Sequence, residues 1–407
     1  MKDKLEKYAD LLLDVCINLK KNEPLVIESP IECSYFVDIL CDKATTKGCK
    51  DIYVEYFDEQ IRHDTLKNIK KEDIDNHPFW NKKTYNDYAR KDSAFLFLNS
   101  PCPNIMDDID PDKLSYASMV SRTSRPVYNA KQMTYEVAWC IAAVPTKAWA
   151  DIIFPGVKNN VEKLWELLFK ICYVDDDPVR KWKEQCKKSD DRSDILNKYK
   201  FSELHYTNSL GTDLYIGLPD DAIWCGAKTK HKDGRDIVVN MPTFENFTSP
   251  DRTKTNGIVY SSRPLLYGGA TIDKFNIVFK DGKAVKASAE KGEAILKSMI
   301  NTDENSCMLG ECALVDYNSP ISLTNKIFYT TLYDENASCH IALGEGFKEC
   351  IKGGYGLNGK ELNERGINTS KIHVDFMIGT EDLQITGIDE FGKEHTIFKD
   401  GNFALKD

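Results

Sequence analysis

The chain has 407 residues, 42% of them hydrophobic and 29% charged, a mix that suits a soluble globular protein with more than one core. A formal net charge of -10 leaves no basic excess to neutralise phosphates, which argues against nucleic acid as the main partner. No apolar run reaches the roughly 18 residues of a membrane span, and the amino terminus MKDKLEKYADLLLDV lacks the apolar stretch and cleavage site of a signal peptide, so a cytoplasmic protein without membrane contact is expected.

In chain order, Leu5, Tyr8, Leu11, Leu12, Val15 and Leu19 recur at helical spacing. Pro24 precedes the short apolar run Leu25, Val26, Ile27, which reads as a strand. A second helix is predicted over Phe36, Val37, Leu40 and Ala44, with Gly48 just past its end as a stop signal. A strand over Ile52–Tyr56, a polar helix near Asp58–Ile69, and strands Ala94–Leu98 and Cys140–Val144 follow. This alternation predicts an α/β N-terminal domain with a largely parallel sheet.

Residues from Val161 to Lys200 read as helical and highly charged, and the polar run at Ser189, Asp190 and Asp191 reads as a solvated face or linker. The domain boundary is expected there, giving domains 1–195 and 196–407. Short β runs then dominate: Asp213–Leu218, Ile258–Ser262, Phe275–Phe279 and Phe328–Leu332. Asp281-Gly282 is a hairpin turn signal, and Glu390–Gly392 marks another turn. The second half therefore reads as a β-rich α+β domain. The 13 cysteines are scattered without a Cys-x-x-Cys pair and are expected to be free and reduced.

Four segments carry candidate chemistry. In IHVDFMIG (372–379), Ile372, Val374 and Phe376 alternate with His373 and Asp375. On a strand the apolar set faces a core, and the two polar side chains stand about 7 Å apart at their roots on the opposite face. DENASCHIALG places His340 at the mouth of an apolar run, and LGECALV holds Glu311 among small and apolar residues, where a carboxylate is costly unless paired or metal-bound. NMPTFENFTSPD carries Glu245 in a loop flanked by prolines. Each segment alone fits an ordinary structural role. Together, three carboxylates and two imidazoles suit a pair of divalent cations, with carboxylates free to bridge.

At these residues the chain resembles the thermophilic-type metallo-aminopeptidase family. The likeness runs nearly end to end, through KLEKYADLLLDVCINLKKNEPLVI, TDLYIGLP, NMPTFENFTSPDRTKTNGIVYSSRPL, LYDENASCHIALG and INTSKIHVDFMIGT. The resemblance implies an N-terminal α/β domain, a C-terminal metal-site domain, a homodimer, and removal of N-terminal residues from peptide substrates. It implies that Glu245, Glu311, His340, His373 and Asp375 hold two cocatalytic divalent ions, with zinc, cobalt, manganese and magnesium all compatible. Glu245 and Glu311 are then the carboxylates placed at the catalytic step, and Glu335 is a supporting partner. Two positions depart from the family pattern. Phe244 stands where the family has the first glutamate of a Glu-Glu pair, and Phe347 stands where it has a tyrosine after the HIALG block. Loss of a phenol donor to an oxyanion can cost about 10²–10³ in rate, and Tyr355 is a nearby phenol. A non-catalytic metal- or peptide-binding member and a hydrolase of small amides are the competing readings.

Overall fold

In the computed structural model, which describes residues 1–267 and 270–406, the chain forms two compact units. The first comprises Met1–Glu184 and Lys228–Pro242; the second comprises Gln185–Ala227 and Thr243–Asp407.

The first unit is built on a five-stranded parallel sheet, in the order Ile52–Phe57, Leu25–Pro30, Ala94–Asn99, Trp139–Ala143, Asn240–Met241. The strand Leu25–Pro30 is almost uniformly buried, as a parallel strand covered on both faces must be. The N-terminal helix Lys2–Leu11 buries Leu5, Tyr8 and Leu11, and a π-helical turn over Leu12–Cys16 continues the stripe through Val15. The helix Ser34–Thr46 buries Phe36, Val37, Leu40 and Ala44. It ends where Gly48 adopts φ +92° and Cys49 N–H donates back to the carbonyl of Ala44, a left-handed stop that a side chain would strain. The expected polar helix is Glu59–Asn68, whose first turn is capped by the Asp58 carboxylate accepting from the N–H groups of Gln60 and Ile61.

The second unit is strand-rich and antiparallel. One sheet has nine strands, with Phe201–Thr207, Asp213–Gly217, Thr255–Tyr260, Ala270–Lys280 and Gln384–Asp389 at its centre. Asp281 and Gly282 both take positive φ at the tight turn between Ala270–Lys280 and Lys283–Lys291, as the Asp-Gly signal requires. The other sheet has four strands in the order Asn246–Thr248, Leu309–Leu314, His340–Gly344, His373–Met377. Both sheets contribute to one core, through Leu204, Leu214 and Phe275 on the larger and Ile341, Leu343 and Phe376 on the smaller.

Two expectations change. Phe328–Leu332 is not a strand. The Asp334 carboxylate accepts from Phe328 N–H and Thr330 N–H, Tyr329 takes φ +59°, and the chain turns into the short helix Thr331–Asp334. These side-chain bonds satisfy backbone groups that a ladder would otherwise use. The polar run at Ser189 lies within the 22-residue helix Pro178–Tyr199, and Ser189 itself is buried rather than solvated.

Candidate metal centre

The four-stranded sheet has two unlike faces. Cys312, Ile341, Leu343, Val374 and Phe376 point into the core. The other face carries the candidate ligands, because cross-strand partners share a face. The register pairs Glu311 with Ala342 and Ala342 with Asp375, so one row across three strands runs carboxylate, methyl, carboxylate. The next rows pair Ala313 with His340 and Gly344 with His373. Small residues at 313, 342 and 344 leave the space above the sheet to the five polar side chains. At Gly344 the need is strict: φ is +106°, and a Cβ would lie 2.0 Å from the carbonyl oxygen of Ile372.

Glu245 enters from the loop just before Asn246–Thr248. That loop is anchored by Asn246, whose side-chain amide donates to the Ser189 carbonyl and the Ser193 hydroxyl, both at 2.8 Å. Phe244 is buried beside it, with its N–H donating to Asn336 Oδ1 at 2.6 Å.

All five predicted residues converge. Glu245, Glu311 and His340 bring ligand atoms within 4.8 Å of one another, and Glu311, His373 and Asp375 do the same, so Glu311 belongs to both groups. His340 Nε2 is 3.3 Å from Glu245 and 4.0 Å from Glu311. His373 Nε2 is 3.1 Å from Glu311 and 3.2 Å from Asp375. Each imidazole is oriented through its other nitrogen: His373 Nδ1 lies 2.7 Å from the Glu345 carbonyl and His340 Nδ1 lies 3.3 Å from the Ser338 carbonyl. With Nδ1 donating to these carbonyls, both Nε2 atoms face the carboxylates, and loss of the Nε2 proton from each ring leaves the tautomer a metal ligand needs.

The electrostatics are those of a site made for added positive charge. Burial pushes the Glu311 carboxyl up to about 7, only partly offset by His373. Burial, then the carboxylates of Glu245 and Asp375, raise Glu335 far above the ordinary range. Burial would lower His340, but Glu245, Glu311 and Asp375 outweigh it and hold the ring near 10. His373 is raised in the same way by Asp375 and Glu311. Asp375 is held down at about 2, because the two imidazolium rings overcome its burial. His340 Nε2 and Asp375 Oδ1 are buried and held by ion-pair contacts alone, to Glu245 at 3.3 Å and to His373 Nε2 at 3.2 Å, with no well-formed hydrogen bond. An oxygen and imidazole donor set of this kind suits divalent cations.

The chain as a whole is similar to known proteins from end to end. A family model described as thermophilic metalloprotease (M29) matches residues 1–403. The chain belongs to the M29 thermophilic metalloprotease family. It is 36% identical to Aminopeptidase 2 of Geobacillus stearothermophilus over 405 residues, covering 99% of this chain and 98% of that protein. It is 34% identical to Aminopeptidase T of Thermus thermophilus over 408 residues, covering 99% of each. The solved structure of wild-type AmpT from Thermus thermophilus superposes with a TM-score of 0.93 at 32% identity, covering 99% of this chain and all of that one. This M29 chain therefore has the fold of a solved relative over 99% of its length.

Three further residues were singled out in the sequence. Glu335, expected as a supporting partner, feels Glu245, Asp375, His340 and Glu311 as its charged neighbours. Phe347 sits with its ring centroid 5.0 Å from that of His373 and 5.3 Å from that of Phe247, and its N–H donates to Ser249 Oγ at 2.8 Å. Tyr355 is exposed, on the turn Gly354–Gly356. Ser189 and Ser193, which brace the Glu245 loop, carried no sequence signal, since a serine on a charged helix ordinarily faces water.

Proposed function

We propose that this protein is a metal-dependent aminopeptidase whose centre binds two divalent cations. The observation that carries the reading is the pair of ligand groups that share Glu311, in which His340 Nε2 and Asp375 Oδ1 are buried without a well-formed hydrogen bond. Glu245 and His340 would hold one cation and His373 and Asp375 the other, with the Glu311 carboxylate common to both. When bound, such a pair supplies Lewis acidity, activating water and polarising the scissile carbonyl. The chain's own residues do the rest. Glu345 and Ser338 carbonyls hold the imidazoles with Nε2 toward the carboxylates. Glu335 adds a fourth carboxyl, available to balance cation charge or to carry a proton to the leaving amine. The relatives named above as aminopeptidases support peptides as the substrate class.

Phe347 favours one competing reading, a member that binds metal and peptide without turnover, because the position facing His373 lacks a hydroxyl. Titrating metal-free protein with zinc, cobalt or manganese, in the presence of Leu- and Arg-aminoacyl amides and short peptides, separates the two. Turnover that rises until two equivalents are bound supports the aminopeptidase. Two equivalents bound without cleavage of any peptide supports the binding protein. No metal bound removes the ligand assignment.

A further inference from the structure

The strand that carries His373 and Asp375 is an edge. His373–Met377 pairs only with His340–Gly344, and its other side has no strand among the described residues. Which backbone groups face that open side follows from three bonds. Ile378 N–H donates to the carbonyl of Cys339, and Glu345 N–H donates to the carbonyl of Ile372, so even-numbered residues face the His340 strand. Ser262 N–H donates to the carbonyl of Met377 from the opposite side, so odd-numbered residues face outward. In an antiparallel ladder this alternation is obligatory. The N–H and carbonyl groups of His373 and Asp375, and the N–H of Met377, therefore point along the open edge, on the same residues whose side chains enter the metal centre. The edge is short. Ser262 takes the Met377 carbonyl at one end, and the strand spans roughly 14 Å at about 3.4 Å per residue. His373 is the most exposed of the five ligand side chains, at 27% exposure, so this end of the centre reaches solvent.

We propose that a peptide substrate binds as a fifth strand on this edge, its main chain paired with the N–H and carbonyl groups of His373 and Asp375. The proposal rests on the aminopeptidase reading for its choice of occupant. A strand added here lies about 4.8 Å from the His373–Met377 backbone, which brings its first amide beside the ligand groups of the same two residues. The edge recognises backbone and not side chain, as strand-addition sites do. It thus accounts for affinity toward peptides in general, and limits contact to the first three or four residues.

Strand addition has a period-two signature that other modes of binding lack. The test uses metal-loaded full-length protein and a pentapeptide whose scissile amide is reduced to a methylene amine. Each remaining amide N–H is replaced in turn by an ester oxygen, and binding is measured by calorimetry. Alternate replacements should weaken binding roughly five- to tenfold, with little effect at those between. Backbone amide exchange gives a second reading: bound peptide should slow exchange at His373, Asp375 and Met377, whereas Val374 and Phe376 are already protected by the His340 strand. Uniform or absent sensitivity to the ester replacements, or protection that falls elsewhere, overturns the strand-addition mode while leaving the aminopeptidase reading intact. Alternating sensitivity with no cleavage of the parent peptides supports the edge site and sinks the aminopeptidase reading. Absence of peptide binding overturns the edge proposal.

Discussion

Glu311→Gln separates a charge effect from a packing effect, because the amide has the shape of the carboxyl it replaces. Glu311 is buried and belongs to both ligand groups. Without metal, burial holds its carboxyl at about 7, above the ordinary 4.5. A folded value above the unfolded one means the protonated form is favoured by folding. The stability this group contributes is complete below about 4.5 and is lost as pH rises through about 7. At about 1.4 kcal/mol per unit, the loss amounts to roughly 3 kcal/mol by pH 8. Glutamine does not titrate. Metal-free Glu311→Gln should therefore be at least as stable as the parent at about pH 8, the reverse of the usual core substitution, and should lack the parent's decline between about pH 5 and pH 8. Cation binding acts in the opposite sense. At a thousandfold excess over Kd the parent gains about 4 kcal/mol, and the variant should forfeit most of it because both ligand groups lose an anionic member. Guanidinium unfolding at the two pH values, with and without zinc, together with bound-metal content, reads out both effects. A metal-free variant several kcal/mol less stable at pH 8, or one that keeps two equivalents and the full zinc stabilisation, would refute this reasoning.

Phe347→Tyr places a phenol beside His373 and should raise kcat on a Leu-aminoacyl amide by about 10-fold or more, within the 10²–10³ that one oxyanion donor can supply; an unchanged or lower kcat counts against a missing donor. Glu335→Gln distinguishes two duties of that carboxyl: loss of one metal equivalent assigns it to the ligand set, whereas two equivalents retained with kcat reduced about 10²-fold or more assigns it to proton transfer. Metal binding should release protons, because the metal-free centre holds His340 near 10, His373 raised and Glu311 near 7. Affinity should rise with pH through this range, roughly tenfold per unit for each proton displaced, and calorimetry in buffers of unequal ionisation enthalpy counts those protons. A pH-independent affinity would show that the imidazoles are neutral before metal arrives.

Much of the fold was legible in one dimension because its periodicities are local. The buried run Leu25–Ile27, the stripe Phe36, Val37, Leu40, Ala44 and the turn at Asp281-Gly282 each state their conformation through neighbouring residues alone. The alternation in IHVDFMIG likewise put Val374 and Phe376 on one face and His373 with Asp375 on the other, as the strand does. Phe328–Leu332 read as a strand by the same rule and is not one, since Asp334, a few residues onward, captures its N–H groups.

The sequence by itself determined which residues had to be explained: a glutamate among apolar neighbours at 311, histidines at 340 and 373, an aspartate at 375 and a glutamate in the loop at 245. Only tertiary structure decided that they meet. Their convergence depends on the pairing of Glu311 with Ala342 and Ala342 with Asp375, and on the buried bonds from Asn246 to Ser189 and Ser193 that set the Glu245 loop. Register between strands 30 residues or more apart is a matter of long-range packing, and a one-residue slip would turn every ligand to the other face. The open edge beside His373 and Asp375 is likewise a property of sheet order, which no local pattern in the chain encodes.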